Sequence, residues 1–160
     1  MVRLSKLTDY GLVLMSHIAR GQGRSLRTAR DLAVESRLPL FTVRKLLKEL
    51  LRSELLVSHR GIKGGYYLAR DPGKISVLDV ITALEGPVAL TECSTDVSGL
   101  CDLEPYCLIK NNQRIISQAM RGVLERISLL ALVQPLQLTT IKDTRGKLVA
   151  TIDRVPGRIQ

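Results

Sequence analysis

Thr91 to Cys107, TECSTDVSGLCDLEPYC, constrains this chain more than any other stretch. It carries every cysteine in the sequence, Cys93, Cys101 and Cys107, spaced C-x7-C-x5-C. Gly86-Pro87 stops the helical pattern before it, and Pro105, a residue suited to the first turn of a helix, opens the next one. About 18 residues are left without helix or strand period, and loops beyond about 12–15 residues in a compact domain usually have a functional reason. The stretch is poor in large apolar residues and does not pack itself. Three thiols are the groups available to tie it down.

Three readings compete for these thiols. A disulfide scaffold wants an even cysteine count and a secretory signal, and neither is present. Structural zinc usually shows C-x2-4-C pairs and a nearby fourth Cys or His, which are missing here. An iron–sulfur cluster tolerates wider spacing and is held mainly by thiolates, so it ranks first and zinc second. Three unconnected cysteines, each a small buried hydrophobe, come third. Neighbours such as Asp96, Gly99, Asp102 and Glu104 argue against a core position for them.

The rest of the chain is large enough to bury a core. With no Trp and one Phe, that core has to be aliphatic. The longest apolar run, Leu129 to Val133, is far too short for a membrane span. Asp9, Ser16 and His17 interrupt the N-terminal apolar stretch at helical period, which argues against a signal peptide and for a cytoplasmic protein. Residues 1–74 carry 15 Lys and Arg against 6 Asp and Glu, whereas residues 75–160 carry nine of each. The whole net charge of +9 therefore sits in the first half. Such asymmetry points to a polyanion, most simply nucleic acid, with a solvated basic surface as the plainer alternative.

The order of elements sharpens that reading. Ser5 caps a first helix to about Arg20, with Leu7, Leu14 and Ile18 on its apolar side and Val13 beside them. Thr28, with Asp31 three residues on, opens a short second helix whose apolar positions are Leu32 and Val34. After a turn at Ser36-Arg37-Leu38, Pro39 begins a third helix with Leu40, Val43, Leu46 or Leu47, and Leu50 inward. Its other side shows Phe41, Thr42, Arg44, Lys45, Lys48 and Arg52, which makes a helix-turn-helix with a basic second helix. Strands at 55–59 and 66–69 flank the turn Arg60-Gly61-Ile62-Lys63-Gly64-Gly65, and a hairpin in that place is a wing. The candidate DNA-binding residues are Thr28, Phe41, Thr42, Arg44, Lys45, Lys48, Arg60, Lys63, Gly64 and Tyr66.

Ser76 to Glu85 reads as a fourth helix. A long helix from about Pro105 to Leu130 follows the loop, with Ile116, Met120, Val123, Ile127 and Leu130 at heptad-like spacing. Its narrow seam favours pairing with a second copy, which suits two-fold DNA sites. The expected fold is mainly α: a winged helix-turn-helix with a two-stranded wing plus a long dimerisation helix. The expected divisions are 1–86 for DNA binding, 87–107 for the cysteine loop, 108–132 for dimerisation and 133–160 as a tail. In that tail, 136–141 and 147–152 around Asp143-Thr144-Arg145-Gly146 form either a weak hairpin or no fixed structure.

Winged helix, cysteine loop and long helix in this order resemble the IscR/NsrR family of iron–sulfur transcription regulators, over roughly residues 2–133. The motifs that carry the likeness are Arg3-Leu4-Ser5-Lys6-Leu7-Thr8-Asp9-Tyr10-Gly11, the wing from Arg60 to Tyr66, Ala83-Leu84-Glu85-Gly86, and the three-cysteine loop. LTDYG and LEGPVALTEC look most like the members that control SUF-type cluster-assembly operons. The resemblance implies a homodimeric regulator, such as a repressor, that binds a promoter palindrome. An iron–sulfur cluster, 2Fe-2S or 4Fe-4S, on Cys93, Cys101 and Cys107 would set its affinity, in answer to cluster supply, redox state or nitric oxide. It implies base reading by Phe41, Arg44 and Lys45 and minor-groove entry by Arg60.

The first cysteine gap is longer than in IscR, and Lys110 stands where IscR has a histidine ligand. The likeness to NsrR offers Asp9, from the opposite subunit, as fourth ligand. A plain helix-dipole role for Asp9 in the first turn is the alternative. His17 and His59 read as structural or surface groups. Neither a membrane nor a small-molecule substrate is expected as a partner, and no nucleophile–His–acid set, C-x-x-C or phosphate loop suggests an enzyme. The competing functions are a cluster-free winged-helix repressor that responds to a small molecule or thiol oxidation, and an electron-transfer iron–sulfur protein. The second has no need of a wing.

Overall fold

Six helices and two antiparallel hairpins succeed one another in the computed structural model, which describes residues 4–21, 25–95, 97, 99–142 and 148–154. Arg3, Asp96 and the expected turn at 143–146 lie outside these residues. Helix α1 (Lys6–Arg20) starts at Ser5, whose hydroxyl accepts the Thr8 N–H at 3.2 Å. Reciprocal capping boxes open α2 (Ala29–Ser36) at Thr28/Asp31 and α4 (Val77–Glu85) at Ser76/Asp79, as the spacing of those residues predicts. Each cap contributes on the order of 1 kcal/mol. Between them, α3 (Leu40–Arg52) follows Pro39.

The helices meet in an aliphatic core. Leu14, Met15 and Ile18 of α1, Leu32 of α2, and Val43, Leu46, Leu47 and Leu50 of α3 are its centre, with Leu55, Leu56, Leu68, Ile75, Val80 and Leu129 around them. Truncating one of these leucines to alanine is worth roughly 2–5 kcal/mol. Two expected positions differ. Val34 is exposed, because α2 is short and shows the core little more than Leu32. Thr42 is buried, on the same side of α3 as Leu46 and Leu50.

Strands β1 (Leu56–His59) and β2 (Gly65–Leu68) form the wing, with Leu56 opposite Leu68 and His59 opposite Gly65. Leu56 and Leu68 turn into the core, and His59 stacks on Tyr67 across the outer face, ring centres 5.7 Å apart.

The segment after α4 departs from expectation. The cysteine stretch contains two single 3-10 turns, Glu92–Ser94 and Glu104–Tyr106, and the helix after it, α5, runs only from Lys110 to Arg126. At Ile127 the backbone becomes extended and pairs with the chain before α4: Val77 N–H donates to Ile127 O and Leu129 N–H to Ile75 O, both at 2.8 Å. Ser128 then caps a short helix α6 (Leu129–Leu132) by accepting the Ala131 N–H. Ile127 and Leu130 therefore lie past the end of α5 rather than on its seam. The tail forms the hairpin of β3 (Leu136–Lys142) and β4 (Leu148–Arg154), with Leu138 opposite Ile152.

Candidate nucleic-acid interface and cysteine loop

Arg37 ends α2 in the left-handed region at φ 56°, its N–H returning to Val34 O, and this allows α3 to start three residues later. The inward leucines of α3 fix its rotation, so Arg44, Lys45 and Lys48 all face solvent beside Phe41, which is 75% exposed. Thr28 is exposed, but its hydroxyl is held 2.7 Å from Asp31 Oδ2 in the capping box. That bond, with the Thr28 N–H, keeps the Asp31 carboxyl below its ordinary pKa. Thr42, being buried, does not share this exposed face.

Arg60 and Lys63 are exposed at the wing tip, on either side of a fully exposed Ile62. Gly61 takes φ 120°, and its carbonyl accepts the Gly64 N–H at 2.9 Å, closing the turn. A Cβ at Gly64 would sit 2.4 Å from His59 O, so the tip depends on glycine there. Tyr66 is half-buried against the core and lies within β2, opposite Ser58 and one pair in from the turn, not at the wing tip. One contributor has no signal in the periodicity: Arg27, in the α1–α2 connection, bridges to Tyr66.

The thiols occupy unlike surroundings. Cys93 is buried, against the expectation that none of the three is a core residue, and its Sγ lies 3.3 Å from Thr91 Oγ1. The turn that carries it is fastened to α5, where buried Ser117 donates to Ser94 Oγ at 3.0 Å and accepts the Leu90 N–H at 3.2 Å. Cys101 and Cys107 are partly exposed. Between them Glu104 accepts the Gly99 N–H at 2.9 Å and ion-pairs with Lys110 at 2.7 Å. The Lys110 contact first, then the Gly99 N–H, hold its carboxyl below the ordinary range. In kind the three thiols fit an iron–sulfur cluster and in number they fall one short of its usual four ligands, and among the described residues no three His, Cys, Asp or Glu side chains gather into a metal-holding group.

Asp9 lines a groove with Leu12, Val13, Ser16 and His17 of α1 and with Leu132 and Val133. Within one chain it is not grouped with the cysteines. On α5, Ile116, Ala119, Met120, Val123 and Leu124 form an open apolar groove, so the first three expected seam residues share one face and Ile127 does not join them.

A helix-turn-helix with a basic second helix and a wing beside it defines a winged-helix, DNA-binding transcription regulator. Comparison with known proteins narrows this. The chain belongs to the Rrf2 family, described as iron-dependent transcriptional regulators, whose model matches residues 4–135. It is 29% identical over 142 residues to the regulator NsrR of Shouchella clausii, covering 89% of this chain and 87% of that protein. To IscR of Cronobacter sakazakii it is 28% identical over 142 residues, covering 89% and 86%. Its fold is similar to that of CymR, the global cysteine regulator of Bacillus subtilis, with a TM-score of 0.64 and 28% identity over 83% of this chain and 97% of CymR. The chain is thus a regulator and not an enzyme. Among the described residues no helix is long and apolar enough to cross a membrane.

Proposed function

We propose that this regulator works as a homodimer on a promoter palindrome, with α3 of each copy in the major groove and each wing against the neighbouring minor groove. The observation that carries this is the placement of Phe41, Arg44, Lys45 and Lys48 on one solvent face, with Arg60 and Lys63 on the adjoining wing, in the half that holds all the excess charge. The apolar groove of α5 supplies the face for the second copy.

The cysteine loop is the sensor in this reading. Cys93, Cys101 and Cys107 would hold an iron–sulfur cluster, with Asp9 of the opposite subunit in the fourth position, and the cluster would supply a redox- and nitric-oxide-sensitive centre. The Ser94–Ser117 bond supports a route from the loop to α5, through which ligation at Cys93 biases the pairing of two subunits and, by linkage, DNA affinity. Controlled genes of the cluster-assembly kind follow from the likeness to SUF-type regulators. The partly exposed Cys101 and Cys107 favour a second reading, a cluster-free repressor that answers thiol oxidation.

Anaerobic purification and visible absorption separate the two. A brown protein with sulfide-to-iron charge-transfer bands, whose DNA affinity changes when the bands are bleached, is expected. A colourless protein whose affinity follows thiol oxidation selects the second reading. Asp9→Ala, reconstituted without oxygen, should alter the Mössbauer spectrum, and an unchanged spectrum removes Asp9 from the site.

A further inference from the structure

Arg27 lies between α1 and α2, outside both the wing strands and the two helices of the helix-turn-helix, and is bonded to each. Arg27 exchanges both backbone hydrogen bonds with Tyr66, its N–H to Tyr66 O at 3.0 Å and its O from Tyr66 N–H at 2.9 Å. It thereby adds a one-residue third strand to the free edge of β2. The approach is tight: a Cβ at Gly65 would meet the Arg27 backbone at 2.8–3.0 Å. The Arg27 side chain points the other way, into an ion pair and hydrogen bond with Glu35 in the last turn of α2. Both side chains are partly covered, at 26% and 33% exposure. One residue thus joins strand β2 of the wing to α2, and α2 packs on α3.

A lone two-stranded hairpin is marginal in water, so the angle of the wing is decided by what its strands are fastened to. Helix and wing must enter neighbouring grooves together, and every loose degree of freedom in that attachment is frozen on binding and weakens it. We propose that Arg27, held by Glu35, is a positioning residue that sets the wing relative to α3, and that its guanidinium is not a phosphate contact. The inference rests on α3 and the wing being the DNA-binding elements.

The sign of one substitution decides it. Glu35 is an acid in the basic half, so a purely electrostatic account makes Glu35→Gln bind DNA more tightly. Positioning makes it bind less tightly. The full-length protein, a labelled duplex selected from random sequence by the unmodified protein, and the variants Arg27→Gln, Glu35→Gln, the double Gln variant and the swap Arg27→Glu/Glu35→Arg are sufficient. Each single variant is expected to lose roughly two- to five-fold in affinity, the range for a partly exposed pair. The double Gln variant should be no worse than either single, and the swap should recover most of the loss. Amide exchange should quicken at 58–59 and 65–67 while α1 and α4 keep their protection, which separates a loosened wing from general destabilisation.

Tighter binding by Glu35→Gln overturns the proposal. So does an unaffected Glu35→Gln beside an Arg27→Gln whose salt slope drops by about one, the mark of a lost phosphate contact. If Arg44 and Lys45 substitutions also leave selection of the duplex unchanged, the assignment of α3 itself is at fault; if they abolish it, only the positioning role is.

Discussion

Arg44 and Arg60 illustrate how little of a side chain's role is set by its charge alone. Both are exposed cations, but one stands on α3 and the other at the wing. Arg44→Ala is expected to relax base preference in the major groove, and Arg60→Ala to weaken binding at A·T-rich minor-groove positions, each by about 1–3 kcal/mol. Competition with point-substituted duplexes measures this, and an equal loss on every sequence reassigns both to phosphate. Glu85 works on stability instead. It takes the Ser5 N–H at 2.6 Å, and a hydrogen bond from Thr8, followed by those of Ser5, keeps its carboxyl below the ordinary 4.5. The unfolded chain then binds the proton more readily than the folded one. The stabilisation is full above the unfolded value and is lost as pH falls through the folded value. Glu85→Gln should therefore cost about 1 kcal/mol near neutral pH, discounted for exposure, and match the parent once both are below the carboxylate range. Urea titrations at several pH values test it, and a constant gap at all pH values refutes it. At this scale the caps were legible because Ser and Thr with Asp three residues on satisfy one another locally. Thr42 was not, because its hydroxyl suggested solvent while its spacing from Leu46 and Leu50 placed it inside. Cys93 misled in the same way: its polar neighbours in sequence suggested solvent, whereas the turn that carries it is fastened to α5 through Ser94 and Ser117.

At the scale of elements, α5 shows where periodicity stops being informative. Ile116, Met120 and Val123 share a face, but the same spacing continued through Ile127 and Leu130, which lie beyond the end of the helix. The overriding interaction is non-local, the pairing of 127–129 with 75–77. A local sign was present in Ser128, a capping residue followed by five apolar residues, Leu129 to Val133. Val123, 45% exposed, lies in the apolar groove. Val123→Asp should yield a folded monomer without operator binding, since an unpaired charge in a closed apolar interface is strongly unfavourable. Sedimentation decides it, and a surviving dimer moves the interface elsewhere. The Arg27–Tyr66 bridge was illegible for a related reason: one residue of strand has no period.

Over the whole molecule, the order of parts and the concentration of charge in residues 1–74 were readable from the sequence and were enough to identify a winged regulator. Assembly of the cysteines was not readable, because ligand spacing says nothing of where a loop is fastened. Binding should fall steeply with salt as phosphates shed their counterions, by ~10³-fold or more between 50 and 200 mM if about six are neutralised. A flat salt profile would remove the polyanion as partner.

Leu129, fully buried among residues of α1 to α3, also bears on how the protein is made. On the ribosome α1 to α4 emerge first, and the side chain that completes their interior comes later. The roughly fifty residues from Val77 to Leu129 take about 3–10 s at ~5–20 residues per second. Translation has passed through the cysteine loop and α5 by the time the interior can close. A product cut short before them is a basic chain with an unfinished core.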